Sequence, residues 1–141
     1  MMRVDGTIAL TNRAVRVVKG TLTLTKTGGI VNTDGKAAFS LEGGALAFGE
    51  NVKDEIGTLS VTAPSALALA EGATLEIDTL ELGENAKLAI TTKGEMFHRV
   101  KIGSGATLAD SDLAKITYNG RSIVQSANGY LGTSGLVIIF R

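Results

Sequence analysis

Any acid–base or nucleophilic chemistry in this chain would have to pass through one histidine, His98. A serine triad needs a histidine between its nucleophile and its carboxylate. No nucleophile-elbow sequence accompanies His98. It shares parity with Val100 and Ile102, so it is expected to point inward at the start of a strand, as a core-edge or loop histidine. Asp110-Ser111-Asp112 brings two carboxylates close together. A calcium loop needs more oxygen ligands at fixed spacing around a glycine. Asp110 or Ser111 is therefore read as the N-cap of a helical turn. Glu76 and Glu81 fall on outward faces of what read as neighbouring strands. A glycosidase pair must face each other across a cleft, so these two read as a solvated surface. Gly103-Ser104-Gly105 leads into a strand-like segment, whereas a phosphate cradle opens a helix. Tyr118 and Tyr130 have rings that could stack on a sugar, but Tyr118 shares parity with Ile116 and is expected in the core. No catalytic, cofactor-binding or metal-binding residue is assigned, and no cofactor is expected.

The elements that would position these residues follow a repeated phrase: a small or turn residue, then polar, apolar, polar, apolar. Gly20-Thr21-Leu22-Thr23-Leu24, Gly57-Thr58-Leu59-Ser60-Val61, Ala73-Thr74-Leu75-Glu76-Ile77 and Ala86-Lys87-Leu88-Ala89-Ile90 are copies, and His98-Arg99-Val100-Lys101-Ile102 keeps the same beat. Strict alternation sends one row of side chains into a core and the other into water. Many such strands at near-regular spacing indicate an all-β repeat architecture.

Composition narrows the function classes. The 141 residues are enough for one domain with a real core. Apolar content is 44%, carried by aliphatic residues, while aromatics are only 4% and Trp is absent. That weighs against a β-sandwich core and against most carbohydrate-binding platforms. With 14 basic and 14 acidic residues and no basic run, the chain lacks a nucleic-acid or membrane-surface footprint. No cysteine is present, which excludes disulfides and thiolate metal sites. No segment reaches the length of a membrane span.

Along the chain, strands are expected near Thr7–Leu10, Val15–Val18, Thr21–Thr25, Ala38–Leu41 and Ala45–Phe48, with Gly49–Glu55 as a polar loop. The beat is then nearly unbroken from Gly57 to Ile90. Arg99–Ile102 and Ala106–Leu108 come next as short strands, and Asp110–Ala114 reads as a helical turn. Asn119-Gly120 joins Lys115–Tyr118 to Ser122–Gln125 as a hairpin, since Asn-Gly tolerates positive φ at both turn positions; Asn128-Gly129 is a second such turn. The last strand expected is Leu136–Phe140.

The fold expected is one right-handed parallel β-solenoid over residues 1–141, with a helical turn and hairpin in a capping region, residues 109–141. About six coils of roughly 20–25 residues would make a stack on the order of 30 Å long. The outward row, rich in Thr, Ser and Ala, suits flat stacked sheets. The alternative is an antiparallel sandwich or jelly roll.

The second half carries a resemblance. Leu67-Ala68-Leu69-Ala70-Glu71-Gly72-Ala73-Thr74-Leu75 resembles the repeat phrase of bacterial autotransporter-associated β-strand repeats. Val100–Gly120 resembles the closing segment of many such surface proteins, and Ala127-Asn128-Gly129-Tyr130-Leu131 resembles their ending before a PEP-CTERM-type sorting signal. The match covers about residues 58–131. The resemblance implies a secreted or surface-displayed solenoid passenger segment and carries over no catalytic residue. It departs from the pattern at Gly132–Arg141, which is strand-like where the family has a sorting helix. Either the chain is cytosolic, or its export signal lies outside this sequence; the resemblance favours the second.

The function expected is structural display, with self-association through the solenoid ends and the strand Leu136–Phe140. The alternative is an adhesin-like module that holds a glycan or a surface protein on its flat Thr/Ser/Ala face.

Overall fold

In the computed structural model, which describes residues 2–6, 8–11, 13–32, 35–95, 98–103 and 107–133, the alternating phrases close into three-sided coils. The first coil is β1 (Met2–Val4), β2 (Ile8–Leu10) and β3 (Ala14–Val17); the second is β4 (Thr21–Leu24), β5 (Ile30–Asn32) and β6 (Ala38–Leu41). In the third, β7 (Ala45–Phe48) is followed by one long strand, β8 (Lys53–Val61), which serves two sides. The fourth repeats this with β9 (Pro64–Leu69) and β10 (Thr74–Leu82). A partial fifth holds β11 (Lys87–Thr92) and β12 (Val100–Ile102). The chain ends its described course with α1 (Asp110–Leu113), β13 (Ile116–Tyr118), β14 (Arg121–Gln125) and β15 (Tyr130–Thr133).

Successive coils pair in parallel, side by side. The protein is a parallel β-solenoid of about four turns. The sandwich alternative fails on this pairing, because antiparallel ladders among the described residues are confined to the last three strands and their partners. The stack is shorter than the six coils expected because after β13, which still pairs in parallel with β11, the chain turns back into antiparallel hairpins and builds a cap instead.

Register explains the core. On the first side Met2, Leu22, Leu46 and Leu67 stand in one column that continues through Ile90 to Tyr118. From Leu22 onward every member is buried. Fully burying one such leucine stabilises the fold by roughly 1.5–3 kcal/mol. Each column is therefore a stack of layers, and every layer is covered by the next.

Two details of the chain path were not visible in the alternation. Gly49–Glu55 is not a loop throughout, because β8 already begins at Lys53. Val52, Asp54 and Ile56 point inward while Lys53 and Glu55 point out, so charge on the outer row masked the strand. Both long strands then turn a corner without breaking. Two consecutive residues escape full burial at each bend, Gly57-Thr58 in β8 and Asp78-Thr79 in β10, and this resets the parity for the next side.

The opposite corner turns more tightly. Hydrogen bonds from Gly29 N to Lys26 O, Val52 N to Gly49 O and Ala73 N to Ala70 O close it in successive coils. The third residue of each turn, Gly28, Asn51 or Gly72, has φ of +72°, +60° or +77°. That is the left-handed conformation a type II turn demands of its third residue. At Gly72 a Cβ would also lie 2.1 Å from Asn51 Oδ1 in the coil below, so any larger residue would have to push that side chain aside as well as adopt a strained backbone.

The cap departs from expectation in three places. The helical turn α1 is capped by Ala109, with no side-chain hydrogen bond, so neither Asp110 nor Ser111 is its N-cap. The strand expected at Ala106–Leu108 does not form at Thr107 or Leu108, where Leu108 N donates to Gln125 Oε1 at 2.7 Å. The Asn119-Gly120 turn is as expected, with φ of +52° and +82°. The second turn is different: only Gly129 takes positive φ, and Gly129 N donates to Ser126 O at 2.9 Å. That is a longer hairpin connection ending in a left-handed glycine. The expected strand Leu136–Phe140 lies outside the described residues.

Candidate functional site

The polar groups that converge most closely sit where the fifth coil meets the cap. Lys93, Gly94 and Glu95 carry the chain around the corner, and His98 reverses it with φ of +60°. This left-handed turn takes His98 out of the strand's parity. The histidine expected to point inward is exposed instead, a loop residue. Its ring meets Tyr130 edge-on, with centroids 4.7 Å apart.

Arg99, the next residue, is the one the alternation misread. It reads as an outward polar residue, yet it is 3% exposed. Its Nε donates to Ala73 O and Nη2 to Ala70 O, each at 2.7 Å. Its Nη1 donates to Lys93 O at 2.7 Å and also to Glu95 O. The guanidinium thus gathers carbonyls from two stacked corners, a task its planar fork of donors suits and a lysine's point charge does not. The only signal in the sequence was a polar stretch, Thr91–Glu95, that reads as a loop before an arginine, although Thr91 and Thr92 belong to β11.

Outside this corner the pairing register lines up Glu55, Glu76, Lys101 and Tyr130 on successive strands. Lys101 Nζ lies 5.5 Å from the Tyr130 ring centre, a cation–π contact. Lys36 holds the far end, 3.3 Å from Glu55 and 3.1 Å from Asp78. Beside the row opens a cleft of about 660 Å³, lined by Lys53, Thr74, Glu95, His98, Tyr130 and Val124 among others. Its lining is more apolar than polar, so it suits a ligand that lays an apolar face against the Tyr130 and His98 rings and reaches polar groups at the rim.

The remaining candidates do not converge. Glu76 and Glu81 lie on one strand, β10, on different sides of the solenoid, not on neighbouring strands. Glu81 accepts from Ser60 Oγ at 3.1 Å. Asp110 and Asp112 belong to the helical turn. Among the described residues no group of His, Asp and Glu is arranged to hold a metal ion. Gly103 follows β12 as a turn, and Ser104 and Gly105 lie outside the described residues. Tyr118 is fully buried under the cap, as its parity required. Burial pushes its hydroxyl above the usual tyrosine range, against a hydrogen bond with Thr92 that pulls it back.

One buried carboxylate was not anticipated. Asp54 points inward in the register of Leu75 and is 8% exposed. Its Oδ1 accepts from Glu55 N at 2.9 Å, and a backbone hydrogen bond from Gly28 also reaches it. Burial raises its pKa while those two donors lower it, and burial dominates. Through these bonds Asp54 ties its strand to the corner below it.

A second open surface, a groove of about 600 Å³, runs over the flat outer side where Thr21, Ala45, Ala66, Ala89 and Thr117 stack in register. This is the Thr/Ser/Ala face read from the sequence. Against known proteins, the chain matches no family model, no curated protein and no solved structure.

Proposed function

We propose that this chain is a non-enzymatic structural segment of a secreted, autotransporter-like surface protein, a rigid column of coils ended by a cap. The observation that carries the reading is the unbroken inward column from Met2 to Tyr118, covered at one end and bare at the other. A column of stacked layers resists bending because each layer fills the one beneath it. The resemblance of residues 58–131 to surface-protein repeats supports display outside the cell. Two measurements test this. Native-state hydrogen exchange should show β4 to β11 protected as one block. An antibody to the chain should label intact source cells; signal only after lysis would remove the display reading.

A second reading rests on the His98–Tyr130–Lys101 group beside its cleft: a glycan- or protein-binding module. Oligosaccharides that raise the melting temperature of the native chain, and not of Tyr130→Ala, would move the function there.

A further inference from the structure

The charges around the cleft beside the cap do not cancel. Arg99 forms part of its wall, and the buried guanidinium gives its hydrogen bonds to carbonyls. Carbonyl dipoles satisfy N–H groups but do not neutralise a full charge, so a positive field reaches the cleft through a low-dielectric wall. Lys53 also lines the cleft. A hollow of about 170 Å³ shares Lys53, His98, Arg99 and Tyr130 with it and extends to Lys101. Among the described residues none of these three cations pairs with a carboxylate. The carboxylates that line the hollow are committed elsewhere. Glu55 lies 3.3 Å from Lys36, and Asp54 is buried and bonded to backbone N–H groups. Glu76 turns its carboxylate over Gly103, where no Cβ stands in its way. Glu95 is the one carboxylate among the described residues of the cleft itself. His98 adds an independent sign. Its left-handed φ of +60° costs a residue that has a side chain, and such strain gathers at functional sites.

From this surplus of positive charge beside two rings we infer that the cleft binds an acidic sugar chain, one whose rings carry carboxylates. The inference rests on the binding-module reading and names its ligand. Each part of such a ligand has a counterpart here. The carboxylate answers Lys53 and Lys101, the two ammonium groups without an acidic partner. The C–H face of a sugar ring lies against Tyr130 and His98, and Val124, 44% exposed, extends that apolar wall. The sugar hydroxyls both donate and accept, so they suit Glu95, Thr74 and Ser126 at the same cleft. Glu95 decides between kinds of anion. It only accepts hydrogen bonds when ionised, and a bare phosphate or a simple aromatic acid would bring it repulsion without a donor. An acidic sugar brings hydroxyl donors to Glu95 and its carboxylate to the lysines.

Calorimetric titration of the native chain tests this with two probes. One is a hyaluronan tetrasaccharide, which alternates glucuronate with a neutral sugar. The other is the same tetrasaccharide after its carboxyls are reduced to alcohols. The acidic form should bind, and the reduced form should bind about tenfold more weakly, the size of one lost charged hydrogen bond. Lys53→Gln and Lys101→Gln should each weaken the acidic form by a similar factor and leave the reduced form unchanged. Added salt should weaken the acidic form alone. Melting temperatures equal to that of the native chain check that the variants keep the fold. Equal binding of the two forms overturns the acidic sugar and leaves the binding-module reading in place. Binding of the acidic form that is indifferent to both lysine variants and to Tyr130→Ala puts the sugar elsewhere and overturns the inference. Binding of neither form overturns it too, and the binding-module reading then stands or falls with the melting test on neutral oligosaccharides.

Discussion

The first coil and the C-terminal cap carry the same kind of inward residue, yet one is only partly covered and the other sealed. At the cap, Tyr118, Ile116, Val100, Ile102, Ile123 and Leu131 are all buried. At the first coil, Met2 and Ile8 stand exposed and Leu10 and Val15 are only partly covered, although Val4 and Val17 are buried. The difference is not one of hydrophobicity. It comes from the path of the chain: two antiparallel hairpins fold across one end, and no described strand folds across the other. A solenoid layer is stable in proportion to the layers that flank it. Local stability should therefore fall from the cap toward the first coil.

The sharpest test compares two members of one column. Leu46→Ala, in the fully covered third coil, should destabilise the chain by about 2–5 kcal/mol through lost burial and the cavity left behind. Met2→Ala, in the same column but more than half exposed, should cost under about 1 kcal/mol. Urea unfolding midpoints of the two variants measure the gap. Equal losses would mean the first coil is as well packed as the third.

The cap side rests on Arg99. Arg99→Leu would leave the carbonyls of Ala73, Lys93 and Glu95 without the arginine donor, while Ala70 O keeps its turn hydrogen bond from Ala73 N. Each unsatisfied buried group costs about 1–3 kcal/mol, and partial relaxation should bring the total to roughly 3 kcal/mol. Arg99→Lys should fall between, since one ammonium cannot reach all four. A urea midpoint for Arg99→Leu close to that of the native chain would show that the corner does not depend on it.

The smallest effect is expected at the tie between the first and second coils. Arg16 on β3 lies 2.8 Å from Glu42, in a two-pronged pair. Hydrogen bonds from Arg16 and then from Ser40 hold the Glu42 carboxyl down to about 2, against 4.5 unperturbed. A lowered carboxylate stabilises the fold above its unfolded pKa, and that contribution disappears as pH falls through the folded value. Acidification from 4.5 toward 2 should therefore loosen the first coil before the cap. Both side chains face water, so the effect is small and weakens further in salt. Amide exchange of β3 against that of β13, followed through this pH range, reads it directly. A simultaneous loss at both ends would assign the acid response elsewhere.

What the alternation carried was the class of fold, the inward and outward rows, and the Asn119-Gly120 turn. A period of two fixes which side chains share a face, whatever the strand pairs with. Positive φ at Asn-Gly is likewise a local matter. Tyr118 could be placed in the core for the same reason. Arg99, Asp54 and His98 could not be placed, because each sits at or beside a corner where parity is reset. For Arg99 and Asp54 the surroundings come from the coil stacked below, some twenty residues or more away in the chain. The sealing of one end and the bareness of the other were equally out of reach. Both depend on which strand edges find partners, and pairing across a stack is a property of three-dimensional register that no single strand encodes. That apolar rows would form and stack was written into the order of residues; where the stacking stops was settled only when the folded coils gave some edges a partner and left others without one.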